Sequence, residues 1–304
     1  MIRHFLRLSD LSAAEHRALF DRTHVLKASW KKRTVETTLA GRTLVLIFEK
    51  ASTRTRLSFE AGMSQLGGTA ITLPYSDSQM ARGEPLSDTA RVTSRYCDAI
   101  MVRTFGDDRI AEFAKHATVP VINGLTDGGH PVQLLADLFT IEERLKTVQG
   151  KVVTWVGDAA SNMARSWAEA ARLFDFTLRI AAPKGYGLPQ ADLDAAGKRV
   201  EIVADIATAV TGADVVTTDV WTSMGQEAES NQRREAFAGY QVNAALLERA
   251  KPGAIVLHCL PAHRGEEITA EVMDSPQSAI YDEAENRMHV QKSLLEKLIL
   301  APSK

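Results

Sequence analysis

Three features of the 304-residue sequence predict an α/β protein of two domains, each a parallel β-sheet flanked by helices, joined by long bridging helices. Short apolar, β-branched runs alternate with longer stretches of helical spacing along the whole chain, which is the pattern of parallel sheets. The length corresponds to about two domains of roughly 150 residues, each able to bury a core. A long stretch of helical periodicity, residues 131–146, stands between two sets of strand-like runs.

The run Leu44-Val45-Leu46-Ile47-Phe48 has the length and branching of a buried strand. Further strands are expected at residues 69–73, 99–102 and 119–122, then at 152–156, 178–181, 201–203, 215–218 and 255–258. After the first strand the spacing becomes helical, with Phe59, Met63 and Leu66 on one face. Ser52 and Thr53 stand at that junction, where a helix takes a side-chain oxygen as its cap. Pro131 suits the first turn of the long central helix, on which Leu134, Leu138, Ile141 and Leu145 recur. A last helix is expected at 291–300, returning to the first domain. The domains are therefore drawn at 1–130 completed by 289–304, a bridge at 131–147, and 148–288.

Composition narrows the function classes. A net charge of −2 lacks the basic surplus of an electrostatic nucleic-acid footprint. No stretch approaches the ~20 apolar residues of a membrane span, and Met1-Ile2-Arg3-His4-Phe5 does not read as a signal peptide. Two cysteines, Cys97 and Cys259, are too few for a disulfide framework. A cytoplasmic protein without nucleic-acid or membrane partners is expected. After residues 152–156 comes Gly157-Asp158-Ala159-Ala160-Ser161-Asn162, with Ala and Asn where a dinucleotide fingerprint needs its later glycines. A nicotinamide cofactor is not expected.

Six stretches can carry chemistry. Ser52, Thr53, Arg54 and Thr55 surround a helix start, whose free N–H groups and dipole favour an anion; a guanidinium and hydroxyls make it a phosphate socket. Arg56 points elsewhere on that helix and is left to structure. Residues 78–84 form a polar loop containing Gln79, and Arg103 closes an apolar strand. Gly128-Gly129-His130-Pro131-Val132-Gln133 puts an imidazole at the start of the central helix. Asp219 ends a buried strand and leads through Trp221, Ser223, Met224 and Gly225 into a charged loop with the character of a lid. His258-Cys259-Leu260-Pro261-Ala262-His263-Arg264 reads as a metal or reactive site. With no Cys-x-x-Cys, no His-Glu-x-x-His and no second ligand pair, the metal reading fails, and no metal is expected.

Taken together, Phe48-Glu49-Lys50…Ser52-Thr53-Arg54-Thr55-Arg56, His130-Pro131-Val132-Gln133, Asp219-Val220-Trp221…Ser223-Met224-Gly225 and His258-Cys259-Leu260-Pro261 resemble the ornithine carbamoyltransferase family over nearly the whole chain. The first two motifs are shared with the aspartate enzymes; Ser-Met-Gly and His-Cys-Leu-Pro are the ones specific to ornithine. The resemblance implies a carbamoyl-phosphate domain followed by an ornithine domain, a homotrimer or a multiple of it, no cofactor, and a place in arginine biosynthesis. By position, Ser52, Thr53, Arg54 and Thr55 would hold carbamoyl phosphate, with Gln79 supplied by a neighbouring subunit. Arg103, His130 and Gln133 would bind the carbamoyl end, and Cys259, Leu260 and Arg287 would complete the site. Asn162, Asp219, Ser223 and Met224 would bind L-ornithine. The groups expected to act in catalysis are Arg54, Arg103, His130 and Cys259.

The chemistry fits these groups. Attack of the δ-amine on the carbamoyl carbon creates an oxyanion, for which each preorganised donor is typically worth ~3 kcal/mol. Thr55, Arg103 and His130 can supply donors, and Arg54 offsets the leaving phosphate's charge. The amine must be neutral, at about 4 kcal/mol near pH 7.5, and a carboxylate beside it would worsen this. Asp219 is therefore expected on the α-ammonium, with Ser223 assisting, Asn162 on the α-carboxylate, and Cys259 near the reacting amine. Two alternatives stay open: transfer to another amine, putrescine or an acetylated ornithine, and a non-catalytic binder of phosphate ligands.

Overall fold

Five of the six residues of β1 (Thr43–Phe48) are buried, because a central parallel strand is covered on both faces. The computed structural model describes residues 3–222 and 227–301. In it β1 pairs in parallel with β2 (Thr69–Pro74) and with β3 (Ala99–Arg103), and β3 pairs with β4 (Val121–Leu125). The first sheet thus has the order β2-β1-β3-β4. Its helices are α1 (Ala13–Lys31), α2 (Thr53–Gln65), α3 (Leu86–Thr93) and α4 (Asp107–His116). Ser12 and Glu15 close a capping box at the start of α1.

After α5 (Pro131–Leu145), the second sheet comprises β5 (Val152–Val156), β6 (Thr177–Ala181), β7 (Val200–Ile202), β8 (Val215–Thr218) and β9 (Ile255–His258). All its pairings are parallel, in the order β7-β6-β5-β8-β9. Between these strands run α6 (Asn162–Phe174), α7 (Gln190–Ala196), α8 (Ile206–Val210), α9 (Ser230–Phe237) and α10 (Ala244–Leu247); α11 (Ala270–Met273) and α12 (Ile280–Ile299) follow. The fold class expected from the sequence is borne out. The chain divides into two compact units, Met1–Leu135 with Glu285–Lys304, and Ala136–Ala284. Both divisions fall inside helices, α5 and α12, which carry the chain from one unit into the other. No described helix is long and apolar enough to cross a membrane.

Two elements differ by more than one residue from those read in the sequence. β4 begins at Val121 rather than at 119, since Pro120 has no N–H for the ladder. The last helix begins at Ile280, eleven residues before 291, so Glu285-Asn286-Arg287-Met288 lies within it. Its second part belongs to the first unit, where Lys27 Nζ donates to Asn286 Oδ1 at 2.7 Å and Ser293 Oγ to the Leu19 carbonyl at 2.9 Å.

In each sheet the strand order reverses once, between β1 and β3 and between β5 and β8. The crevice beyond the carboxyl ends of strands at such a reversal is where open α/β sheets bind ligands. At the second reversal Gly157 follows β5 with φ +128°, a conformation that side chains avoid. An added Cβ would meet nothing closer than Thr218 Oγ1 at 3.5 Å, so space is available and only the backbone objects. Gly157→Ala is expected to lower the unfolding free energy by about 1–3 kcal/mol. Chemical denaturation measures it, and an unchanged midpoint would contradict this account.

Candidate active site

The first reversal gathers the predicted anion ligands. Phe48 and Arg103 are register partners at the ends of β1 and β3, and the Glu49 N–H donates to the Arg103 carbonyl at 2.9 Å. Ser52 caps α2, its hydroxyl accepting from the Thr55 N–H at 3.3 Å. Thr53 is exposed, Arg54 half-buried and Thr55 buried. From α12, Arg287 Nη2 donates to Thr55 Oγ1 at 2.6 Å, with both residues buried. Arg56 instead pairs with Glu60 at 2.9 Å, one turn along α2. Gln79 lies exposed on a short 3₁₀ turn, where it accepts from Arg82 at 3.3 Å.

His130 and Gln133, both buried, open α5, with the His130 carbonyl accepting from the Gln133 N–H at 3.1 Å. Burial, and then the guanidiniums of Arg287 and Arg103, hold the His130 imidazole well below its usual pKa. It is therefore neutral near pH 7, an uncharged hydrogen-bonding group among cations. The loops at this edge are latched by groups that sequence reasoning missed. Glu49 accepts from Thr104 at 2.5 Å and from Arg109 at 2.6 Å, and Lys50 pairs with Asp127 at 2.6 Å. Only the position of Glu49, directly after a strand, hinted at this.

The second reversal holds the remaining residues. Val156 and Thr218 are register partners. Asn162 opens α6 after its cap Ser161, whose hydroxyl accepts from the Ala164 N–H. Asp219 follows β8, and its carboxylate accepts from the Val220 N–H at 2.8 Å and from the Cys259 thiol. Burial raises the Asp219 pKa, opposed in part by these two donors. Burial, and then the Asp219 charge, push the Cys259 thiol well above its usual value. Cys259 is thus a protonated donor at neutral pH. Ser223 and Met224 lie outside the described residues.

Leu260 adopts left-handed backbone, φ +59°, which is unusual for a branched residue. Its N–H donates to His258 Nδ1 at 2.9 Å, so Nε2 carries the proton and donates to Glu267 at 3.0 Å. The same carboxylate oxygen accepts from the His263 N–H at 2.7 Å. This buried chain fixes the turn that presents Cys259 and Leu260, and Glu267 was not anticipated. Ligand atoms of Asp219, His258 and Cys259 lie within 4.8 Å of one another. Both ring nitrogens of His258 are already engaged, however, so a metal there would have to displace one of these hydrogen bonds.

Two parallel sheets, a cation-lined helix start and a carboxylate–thiol pair, each at a strand-order reversal, define a group-transfer enzyme with one anionic substrate. Residues 3–143 match the model of the aspartate/ornithine carbamoyltransferase carbamoyl-phosphate-binding domain, and residues 149–298 that of the aspartate/ornithine-binding domain. The ornithine carbamoyltransferase of Chromobacterium violaceum is 55% identical over 98% of this chain and 97% of that protein. The crystal structure of the enzyme from Burkholderia thailandensis superposes with a TM-score of 0.91 at 48% identity, covering 98% of this chain and 99% of that one. That from Pyrococcus furiosus gives 0.94 at 44% identity, over 99% and 98%. The chain belongs to the aspartate/ornithine carbamoyltransferase family, and within it to the ornithine carbamoyltransferases, as its motifs indicated.

Cys97, the other cysteine, is half-buried, and burial pushes its pKa up to about 11. At pH 7.5 Cys97 is therefore ionised far less often than a free thiol, for which the fraction is about one in ten. Iodoacetamide is expected to alkylate both cysteines at least ~10-fold more slowly than free cysteine. Mass spectrometry follows the reaction, and a Cys259 modified as fast as free thiol would overturn its assignment as a neutral donor.

Proposed function

We propose that this enzyme transfers the carbamoyl group from carbamoyl phosphate to the δ-amine of L-ornithine, giving L-citrulline and phosphate. The observation that carries the reading is the sorting of charge between the two strand-order reversals. Arg54, Arg103 and Arg287 gather at the first, suited to a phosphate dianion, while the carboxylate of Asp219 at the second suits an ammonium.

In this reading Ser52, Thr53, Arg54 and Thr55 hold the phosphate, with Arg103 reaching both phosphate and carbamoyl oxygen. His130 and Gln133 bind the carbamoyl end. The neutral imidazole donates to the oxyanion as the C–N bond forms and the C–O bond to phosphate breaks. Asn162 takes the α-carboxylate and Asp219 the α-ammonium, and Ser223 and Met224 are assigned to the same substrate. A thiolate at Cys259 would stabilise the ammonium form of the incoming amine; a protonated thiol does not. Leu260 is assigned to carbamoyl phosphate in the same reading. The proton lost by nitrogen goes to the departing phosphate or to solvent.

A homotrimer, or a multiple of it, goes with this reading, since Gln79 is exposed on its own chain and open to a neighbouring copy. So do a cytoplasmic location and a role in arginine biosynthesis. Putrescine has neither α-group and would leave Asn162 and Asp219 unmatched, while acetylated ornithine lacks the ammonium. Supplied with carbamoyl phosphate, the enzyme is expected to form the ureido product from ornithine at least ~100-fold more efficiently than from putrescine, N-acetylornithine or aspartate. A preference for any of these three would overturn the assignment. Asp219→Asn is expected to raise the ornithine KM at least ~10-fold, leaving that for carbamoyl phosphate within ~2-fold. An unchanged ornithine KM with turnover abolished at saturation would move Asp219 from the head group to the reacting amine.

A further inference from the structure

Arg233 on α9 and Asp158 in the β5–α6 loop form an ion pair buried on both sides, 2.7 Å apart with side chains 7% and 6% exposed. The guanidinium does more than neutralise Asp158. Its Nη1 also donates to the Trp221 carbonyl at 3.0 Å, and its Nε donates to Glu229 at 3.1 Å. Its guanidinium carbon lies over the Tyr186 ring, 5.0 Å from the centroid. The loop at Asp158 is itself tied in: the Ala160 N–H donates to Asp158 at 2.9 Å and the Ala159 N–H to the Tyr186 carbonyl at 2.9 Å. One turn further along α9, Phe237 packs on Tyr186 at 4.7 Å and on Trp221 at 6.1 Å between ring centroids. One planar, five-donor group thus joins the segment after β5, the segment after β6, the segment after β8 and α9.

A buried ion pair is a poor way to gain stability, because desolvation consumes most of the attraction. A fork of fixed donors does fix geometry, which an ammonium on a flexible stem does not. What is fixed here is specific. Asp158 stands four residues before Asn162, and Trp221 two residues after Asp219.

We propose that Arg233 is a positioning residue for the acceptor: by clamping Asp158 to the Trp221 carbonyl it sets the spacing between Asn162 and Asp219. That spacing selects a ligand carrying an α-carboxylate and an α-ammonium on one carbon. The proposal rests on the reading of those two residues as head-group contacts.

Arg233→Gln, Arg233→Lys and Asp158→Asn test it, assayed in the intact enzyme with carbamoyl phosphate saturating. Arg233→Gln is expected to raise the ornithine KM on the order of 10-fold, with kcat at saturation within ~3-fold and the carbamoyl-phosphate KM within ~2-fold. The inhibition constant of 2-aminopentanoate, which has the head group but no δ-amine, should rise by the same factor. Arg233→Lys keeps one contact of the fork and should fall between wild type and Arg233→Gln. Asp158→Asn conserves volume and shows the same split if Arg233→Gln does not fold. A role in stability alone predicts a lowered Tm with unchanged constants in the folded enzyme; that result, or an equal loss in all the constants, overturns the proposal. A wild-type enzyme forming no ureido product from ornithine overturns the functional reading itself. An active wild type with an unchanged 2-aminopentanoate constant in every folded variant removes only the role of Arg233.

Discussion

Two strand pairings, β1 with β3 and β5 with β8, are what the rest of the structure depends on. Each sets side by side two strands whose connections leave in opposite directions, which opens a crevice at their carboxyl ends. Register makes this exacting. Phe48 faces Arg103, and Val156 faces Thr218, at the last rung of each ladder. A slip of one residue would send every side chain of a strand to the opposite face, and Arg103 with it. The functional groups follow these rungs closely: the cap of α2 lies four residues beyond Phe48, and Asp219 is the residue after Thr218. Helix starts at both crests add N–H groups at no cost in charge.

Burial then acts on both crests in the same physical sense, with opposite consequences for titration. It disfavours charge, so it lowers the pKa of an imidazole and raises that of a carboxyl or a thiol. At the first crest this leaves His130 neutral among guanidiniums that cannot be deprotonated. Cationic countercharge and a neutral donor then coexist within one socket. At the second crest it leaves Cys259 protonated beside Asp219, so of these two acids the thiol stays a neutral donor to the carboxylate. Chemistry that brings a dianion to one place and an amine to another needs this separation of roles.

How much of this was legible in the sequence depended on whether the signal was local. The strands were visible because β-branched runs buried on both faces are continuous, and β4 was begun two residues early because Pro120 sits in an apolar run. The first half of α12 was invisible for a different reason. Glu283, Asn286, Arg287 and His289 are all buried, so this part of the helix packs a polar face inward and shows no apolar period. Residues at strand ends and caps were found from their neighbours. The Thr55–Arg287 hydrogen bond spans 232 residues and the Asp158–Arg233 pair 75, distances at which no spacing rule applies. Ser223 and Met224, read from the family motif, lie outside the described residues.

The raised Asp219 pKa has an energetic corollary for the enzyme without substrate. A carboxyl whose folded pKa exceeds its unfolded one contributes stability that is fully present below the unfolded pKa and is lost as pH rises through the folded value. The Val220 N–H and the Cys259 thiol favour the charged form and offset part of the cost of burying it. An arriving ammonium offsets more of it than either neutral donor can, because the attraction operates where water is largely excluded. A neutral acceptor of similar shape would gain no such term. Under the proposed assignment of Asp219 to the α-ammonium, this burial is a source of selectivity for a zwitterionic head group, a common form of the exchange between stability and function.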